Sequence, residues 1–242
     1  MRISGQRVLV VGGGSGIGLA VAKMAAAEGA QVVIAGRSRT KLDRAAAEIG
    51  QGLVGHEVDA REEASLAGLF ERVGRVDHLV VTVGPGSPKQ RYASFLEQPV
   101  DDARALFDNK FWAQYLCARA GARHVREGGS ITLFGGGASR KPVKAMAVLA
   151  AVQAAIEGFV RGLALDLAPV RVNCVAPGRI ASNSFDAMPP AERDAMLKAW
   201  AESLPVHRIG EPDDAAEAAL FLMGNRYSTG NVLYVDGGHY LR

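Results

Sequence analysis

This sequence predicts a doubly wound α/β fold: a parallel sheet of about seven strands, covered by helices on both faces. Three observations predict it. Short β-branched runs alternate with helical segments from the start of the chain. A glycine cluster stands between the first run and the first helix. No Pro/Gly-rich linker and no short-period repeat divides the 242 residues, so the expectation is a single domain over 1–242.

Each element follows from periodicity and its stop signals. Arg7–Val11 is the first buried strand, Ile17–Glu28 the helix after it, ended by Gly29, and Gln31–Ala35 the second strand. The alternation continues with a helix from Ser38 to Ile49, a strand Leu53–Val58, a helix Glu62–Val73 and a strand His78–Val83. A long helix from Val100 to Arg126 is expected next, then a strand Ser130–Phe134, a helix Ala145–Leu167 and a strand Val170–Val175. The irregular stretch from Pro177 to Pro190 and the helix beyond it suit a flap, spanning about 178–210, over a bound molecule.

Composition narrows the function classes. With 28 Lys+Arg against 25 Asp+Glu the net charge is only +3, and the basic residues are scattered, which disfavours nucleic acid as a partner. Cys117 and Cys174 lie in no CxxC or Cys/His pattern, so neither a disulfide framework nor a metal site is expected and the cysteines point to a reducing compartment. The amino-terminal stretch lacks the charged–apolar–cleavage order of a leader. The longest apolar stretch, Ala145 to Val160, is interrupted by Gln153 and Glu157, so no membrane span is expected. A cytoplasmic location is the expectation.

Gly12-Gly13-Gly14-Ser15-Gly16-Ile17-Gly18 occupies the first strand–helix turn. Glycine is needed where backbone must approach a pyrophosphate closely, and a helix N-terminus offers free N–H groups and positive potential to it. Arg37 follows the second strand at once, in Gly36-Arg37-Ser38. An acid in this place would take the ribose 2′-hydroxyl of NAD, whereas a 2′-phosphate calls for a cation that can form a charge-assisted fork. NADP(H) is therefore favoured over NAD(H). Arg39 reads as a solvated charge at the helix start.

These motifs together resemble the short-chain dehydrogenase/reductase family of Rossmann-fold oxidoreductases, and the likeness covers nearly the whole chain. Val11-Gly12 through Gly18 is similar to the family's TGxxxGxG, Asp59-Ala60 to its adenine-binding pair, and Val83-Gly84 to the end of its NNAG segment. Pro177-Gly178-Arg179-Ile180 resembles its PG motif, while Arg208 to Pro212 and Val235 to Gly238 resemble its C-terminal signatures. The resemblance implies that Gly12, Ser15 and Ile17, with Gly16 and Gly18 of the same turn, line the pyrophosphate. It places Ser38 with Arg37 at the ribose end, Asp59 at the adenine amino group, and Val83 and Gly84 at the adenosine ribose. Ile180 would meet the nicotinamide carboxamide, and Ser182 stands where a threonine is common. A homo-oligomer, a tetramer or a dimer, is implied as well, built through the helices around Asn109–Arg126 and Ala145–Leu167.

The same resemblance exposes a departure. The family protonates its substrate with a Tyr, a Lys four residues on, a preceding Ser and an Asn on the helix before. Counting back from Ala154-Ala155-Ile156-Glu157-Gly158-Phe159, the Lys position is Gln153 and the Tyr position Leu149; Gly135-Gly136 holds the Ser position within one residue. Asn109 alone is retained. Leucine and glycine side chains donate no proton, and glutamine does not titrate near neutral pH. Gln153 remains a candidate hydrogen-bond partner for a ribose. Tyr115 and Arg119 at helical spacing, Lys141 and Lys144 in the loop after the fifth strand, and His207 are the other groups a substitute donor could come from, whereas His124, at the end of an amphipathic helix, reads as a partner of the helix dipole. Two functions stay open: an NADP(H)-dependent oxidoreductase with a non-standard acid acting on an unidentified small molecule, and a nucleotide-binding module without turnover, such as a cofactor sensor or a silent subunit.

Overall fold

The computed structural model describes residues 3–50, 52–84, 94–181 and 188–241. Seven strands pair in the order β3-β2-β1-β4-β5-β6-β7, every pair parallel. They are β1 (Arg7–Val11), β2 (Gln31–Gly36), β3 (Gly55–Glu57), β4 (Val76–Val81), β5 (Val125–Phe134), β6 (Arg171–Pro177) and β7 (Val232–Val235). The order reverses between β1 and β4, and connections that leave in opposite directions open a crevice at the carboxyl ends of those strands.

Helices cover both faces because both faces are apolar. On one side lie α1 (Gly16–Ala27), α2 (Arg39–Ile49) and the late helix α8 (Pro212–Gly224), which meet β1, β2 and β6 through Val8, Val10, Ile34 and Val175. Buried alanines such as Ala22 and Ala25 of α1 and Ala215 and Ala219 of α8 let these helices approach closely. On the other side lie α3 (Glu63–Val73), α5 (Ala113–Gly121) and α6 (Ala147–Asp166), around Leu69, Phe70, Cys117 and Ile156. Helix α4 (Val100–Leu106) packs beside α6, and α7 (Pro190–Ser203) brings Trp200 to the crevice. By length and composition α6 would pass for a membrane span; its Leu149, Val152, Gln153, Ile156 and Val160 are buried in the fold.

Several boundaries differ from the sequence expectation, each for a tertiary reason. The third strand is Gly55–Glu57 rather than Leu53–Val58, because it is an edge strand with three paired positions, entered from the left-handed Gly52. The fourth is Val76–Val81, not His78–Val83, so Thr82, Val83 and Gly84 leave the ladder and face the crevice. The expected continuous helix Val100–Arg126 is interrupted by a π-helical turn, Phe107–Trp112, and ends in a 3₁₀ turn, Ala122–His124. Val125 and Arg126 belong to β5 instead, which starts earlier than Ser130 because Val125 pairs with Val76 before an irregularity carries the register to His78 and Ser130. Helix α6 starts at Ala147 rather than Ala145, whose positive φ of 68° breaks it off.

Two polar pins hold the sheet's lower half. Buried Arg171 donates from Nη1 to Leu222 O at 2.6 Å and from Nη2 to Met223 O at 2.8 Å, a cation against the carboxyl end of α8 where the helix dipole favours it. His78, 2% exposed, lies between Ser130 Oγ and Gln6 Oε1, each at 2.8 Å. Burial, helped by the Arg171 charge, pushes His78 down to about 4. In the unfolded chain a histidine titrates near 6.5, so below that pH the unfolded state binds the extra proton and the folded state does not. The stabilisation is complete above about pH 6.5 and is lost as the pH falls toward 4, amounting to about 3 kcal/mol. The expected result is a melting temperature that drops across this window in the native protein and drops much less in His78→Gln.

Candidate functional site

The crevice at the strand carboxyl ends holds two adjoining cavities of about 590 Å³ and 380 Å³, and Ile17, Thr82 and Gly84 line both. The glycine turn forms the wall of the larger. Gly12 has a φ of +95°, and a Cβ on Gly18 would come within 2.2 Å of the Gly12 carbonyl oxygen, so the one needs glycine for its backbone and the other for close approach of α1 to β1. Ser15, extended at φ −167°, makes no side-chain cap to α1, leaving that helix's first turn directed at the cavity with no acid to oppose an anion. Gly16 also lines this wall. Val11 and Thr82 replace residues of the family pattern, yet Thr82 Oγ1 donates to Val11 O at 3.2 Å and ties the ends of β4 and β1 together.

At the far end of the larger cavity Arg37 and Ser38 line the rim. Exposed Arg37 forms no salt bridge or hydrogen bond among the described residues, whereas Arg39 is committed to Asp43 and donates to Gly55 O at 3.1 Å. Ser38 is occupied differently, its Oγ accepting from Lys41 N at 3.4 Å as the N-cap of α2. Lys41 lines the same rim; it was not singled out from sequence, because Arg37 precedes the N-cap of α2 and no helical spacing links the two.

Asp59 and Ala60 line the next stretch of wall. The Asp59 carboxylate is gripped by Arg61, from Nε to Oδ1 at 3.0 Å and from Nη2 to Oδ2 at 2.6 Å. This fork, opposed by partial burial, holds the Asp59 carboxyl down to about 2. Arg61, also missed from sequence, reaches Asn109 Oδ1 at 3.5 Å. The retained Asn109 thus lines the larger cavity with Val83 and is not among the residues of the smaller one.

The smaller cavity holds the residues that the resemblance sets at the family's proton-relay positions. Gly135, Gly136, Leu149 and Gln153 all line it. A Cβ on Gly136 would fall 2.3 Å from Gln153 Nε2, whereas one on Gly135 would meet Cys174 Sγ at 3.0 Å; Gly136 is therefore the position that faces the relay, one residue on from Gly135. Gln153 Oε1 is buried without a hydrogen-bond partner. Pro177, Gly178 and Ile180 line the opposite wall, and a Cβ on Gly178 would strike Asp236 Cα at 2.6 Å. The flap's feet are joined where Ala181 N donates to Gly210 O at 2.7 Å and Gly210 N to Arg179 O at 3.0 Å. From α7 Trp200 lines the cavity, with the Arg179 guanidinium 4.8 Å from its ring centre. Ser182 lies outside the described residues.

The substitute donors considered from sequence separate cleanly. Lys141 lines the smaller cavity; Lys144, His207 and the Tyr115–Arg119 pair do not. Tyr115 instead sits in a ring cluster with Phe111, Trp112 and Phe159, and His124 stacks on Phe70. Two groups that sequence did not suggest also line it, Lys110 and His239. Burial, with the Arg179 and Lys141 charges, pushes His239 below the ordinary histidine range. Among the described residues no cluster of His, Cys, Asp or Glu could hold a metal ion.

Comparison with known proteins agrees with this arrangement. A family model described as Enoyl-(Acyl carrier protein) reductase matches residues 11–240. A short-chain dehydrogenase/reductase, ATR9, of Stachybotrys chlorohalonatus is 32% identical over 99% of both chains. Galactitol 2-dehydrogenase (L-tagatose-forming) of Cereibacter sphaeroides is 34% identical over 98% of this chain and 96% of its own. Among solved structures, a small-chain dehydrogenase in complex with NADPH superimposes with a TM-score of 0.85 at 38% identity, covering 99% of this chain and 100% of that one. With a family model matched over residues 11–240 and relatives matched from end to end, this chain belongs to the short-chain dehydrogenase/reductase family.

Proposed function

We propose that the protein is an NADP(H)-dependent oxidoreductase that moves a hydride between the cofactor and a carbonyl or alcohol of a small molecule, without the family's Tyr–Lys relay. The observation that carries the cofactor assignment is Arg37, an exposed guanidinium at the cavity rim with no hydrogen bond or salt bridge among the described residues, its charge felt by Asp59 of the same wall, beside an Arg39 that is fully engaged. The 38%-identical relative solved with NADPH supports it. The residues present also fit the group: Gly12 and Gly18 let α1 start close against β1 at the cavity wall, and Gln153 Oε1, buried without a hydrogen-bond partner among the described residues, suits a ribose hydroxyl donor. When bound, NADPH supplies the hydride. The chain's own part is to hold the phosphates at the first turn of α1, take the 2′-phosphate on Arg37 with Lys41 nearby, and close the smaller cavity with Pro177–Ile180 and Trp200.

A second reading, a nucleotide-binding module without turnover, is favoured by one observation: Gly136, Leu149 and Gln153 occupy the relay positions, and none donates a proton. Fluorescence titration with NADPH and NADH, followed by single-turnover mixing of the NADPH-loaded protein with a panel of aldehydes and ketones, separates the two. Cofactor oxidation with any carbonyl supports the oxidoreductase; tight NADPH binding with no oxidation across the panel supports the module; no NADPH binding overturns both.

We further propose a homo-oligomer built on α4 and α6. Phe95, Val100, Phe107, Trp112, Val148 and Ala151 line a shallow apolar groove there, with Phe95 73% and Trp112 47% exposed. Light scattering at micromolar concentration is expected to give the mass of a dimer or tetramer, and Val148→Lys to reduce it; a monomer in the native protein would contradict the assignment.

A further inference from the structure

The relay positions are vacated, yet the cavity they line contains a buried cation without an assigned role. Lys110 is 6% exposed and lines the smaller cavity together with Gly135, Gly136, Leu149 and Gln153. Its charge also reaches Cys174, whose Sγ lies just below the Gly135 backbone. The ammonium is therefore within electrostatic reach of the floor beside the missing hydroxyl.

The backbone explains how it gets there. Lys110 sits inside the π-helical turn Phe107–Trp112, a kind of insertion that recurs at functional sites because it rotates side chains out of the regular helical register. Its neighbour Asn109 faces the larger cavity and Arg61, whereas Lys110 faces the smaller one. The turn runs directly into α5, whose buried Gln114 holds it in place. Gln114 Nε2 donates to Phe134 O and Phe134 N donates to Gln114 Oε1, both at 2.9 Å. That clamp fixes the turn against the end of β5, directly before Gly135 and Gly136. The other cations and His239 of this cavity form a separate group: Arg179 and Lys141 act on His239, and Lys110 is not among the charges that do.

We propose that Lys110 is the catalytic acid–base residue of this site, its Nζ serving the substrate oxygen that the tyrosine hydroxyl serves elsewhere in the family. This rests on the oxidoreductase reading above, from which the hydride comes. As the hydride forms a C–H bond at the carbonyl carbon, the carbon–oxygen π pair moves to oxygen. There it takes a proton from the Lys110 ammonium, so the carbonyl becomes an alcohol and the amine is left neutral, to be reprotonated by solvent. An ammonium aimed at the oxygen also stabilises the negative charge that develops on it.

The test uses butanoate, whose carboxylate stands in for an oxygen bearing negative charge, titrated calorimetrically into the NADP⁺-loaded protein. Expected are butanoate binding in the native protein, a loss of about tenfold or more in Lys110→Met, as for a charge-assisted contact, and little change in Lys141→Met or His239→Gln. Equal affinity in native and Lys110→Met protein, or no butanoate binding by the native NADP⁺ complex, would overturn the proposal. Should Lys110→Met not fold, judged by circular dichroism, the native protein answers by another route. Acylation of Lys110 with acetic anhydride, followed by mass spectrometry, is expected to slow severalfold when butanoate is added to the NADP⁺ complex, and an unchanged rate would overturn the assignment. Failure of the native protein to bind NADP⁺ at all counts against the oxidoreductase reading; intact cofactor binding with a butanoate affinity indifferent to Lys110 counts against Lys110 alone.

Discussion

Arg37→Asp is expected to weaken NADPH binding by about 100-fold while leaving NADH binding unchanged or tighter. A guanidinium–phosphate contact is charge-assisted and forked, and each such hydrogen bond to an ionised group contributes about 1.5–3 kcal/mol. The substitution removes that contact and sets a carboxylate against a dianionic group. For NADH the same carboxylate has a ribose 2′-hydroxyl to accept from. The contrast with Arg39 sharpens the measurement. Arg39 is held by Asp43 and by Gly55 O, so Arg39→Ala should alter NADPH affinity only a few-fold. Lys41→Ala should fall between them, since Lys41 lines the same rim as a point charge on a flexible stem. Fluorescence titrations of both cofactors against the three variants check this; equal NADPH and NADH affinities in the native protein would remove the basis for assigning Arg37.

Gly18→Ala is expected to be the most destabilising single methyl in the molecule's cofactor turn, about 3 kcal/mol or more. Overpacking a tight site costs about 1–3 kcal/mol when side chains can give way. Here the new Cβ would stand 2.2 Å from Gly12 O and 2.8 Å from Gly12 C. Those are backbone atoms of the turn itself, so relief requires α1 to move off β1. The gain in helix propensity, about 1 kcal/mol, offsets only part of this. Gly16→Ala is the control: its position is open but has a φ of +54°, so its cost is that of a left-handed alanine, about 1–2 kcal/mol. Urea unfolding should rank the two variants in this order, and NADPH affinity should fall with Gly18→Ala because the turn that receives the pyrophosphate is displaced. A Gly18→Ala protein as stable as native would mean that α1 and β1 are not packed as described.

Local chemistry was legible in the sequence, and it carried most of the fold and the cofactor half of the crevice. Alternating β-branched runs and amphipathic segments set the strand and helix sequence because those periods are properties of neighbouring residues. The glycine turn and Arg37 could be found because a strand–turn–helix unit brings them together within a few dozen residues. The resemblance then supplied the relay register that isolated Leu149 and Gln153. The smaller cavity was a different matter. Lys110, Trp200 and His239 line one cavity with Gly136 from three distant segments, and nothing in their local sequence marks them as neighbours. Arg61 was hidden for a related reason, since its fork on Asp59 depends on how the chain turns after β3.

The helix around Asn109 shows the division most sharply. By itself the sequence determined that a long helical segment runs there and that Asn109 matches the family's asparagine. Only the tertiary structure decided which way that segment faces. A π-helical turn changes the angle between successive side chains, and the Gln114 clamp on Phe134 fixes the changed register against β5. Asn109 lines the larger cavity and Lys110 the smaller one, with Gly136, Leu149 and Gln153. Periodicity specifies which residues share a face of a regular helix; it cannot specify where the helix departs from regularity, because that is set by contacts with a strand distant in sequence.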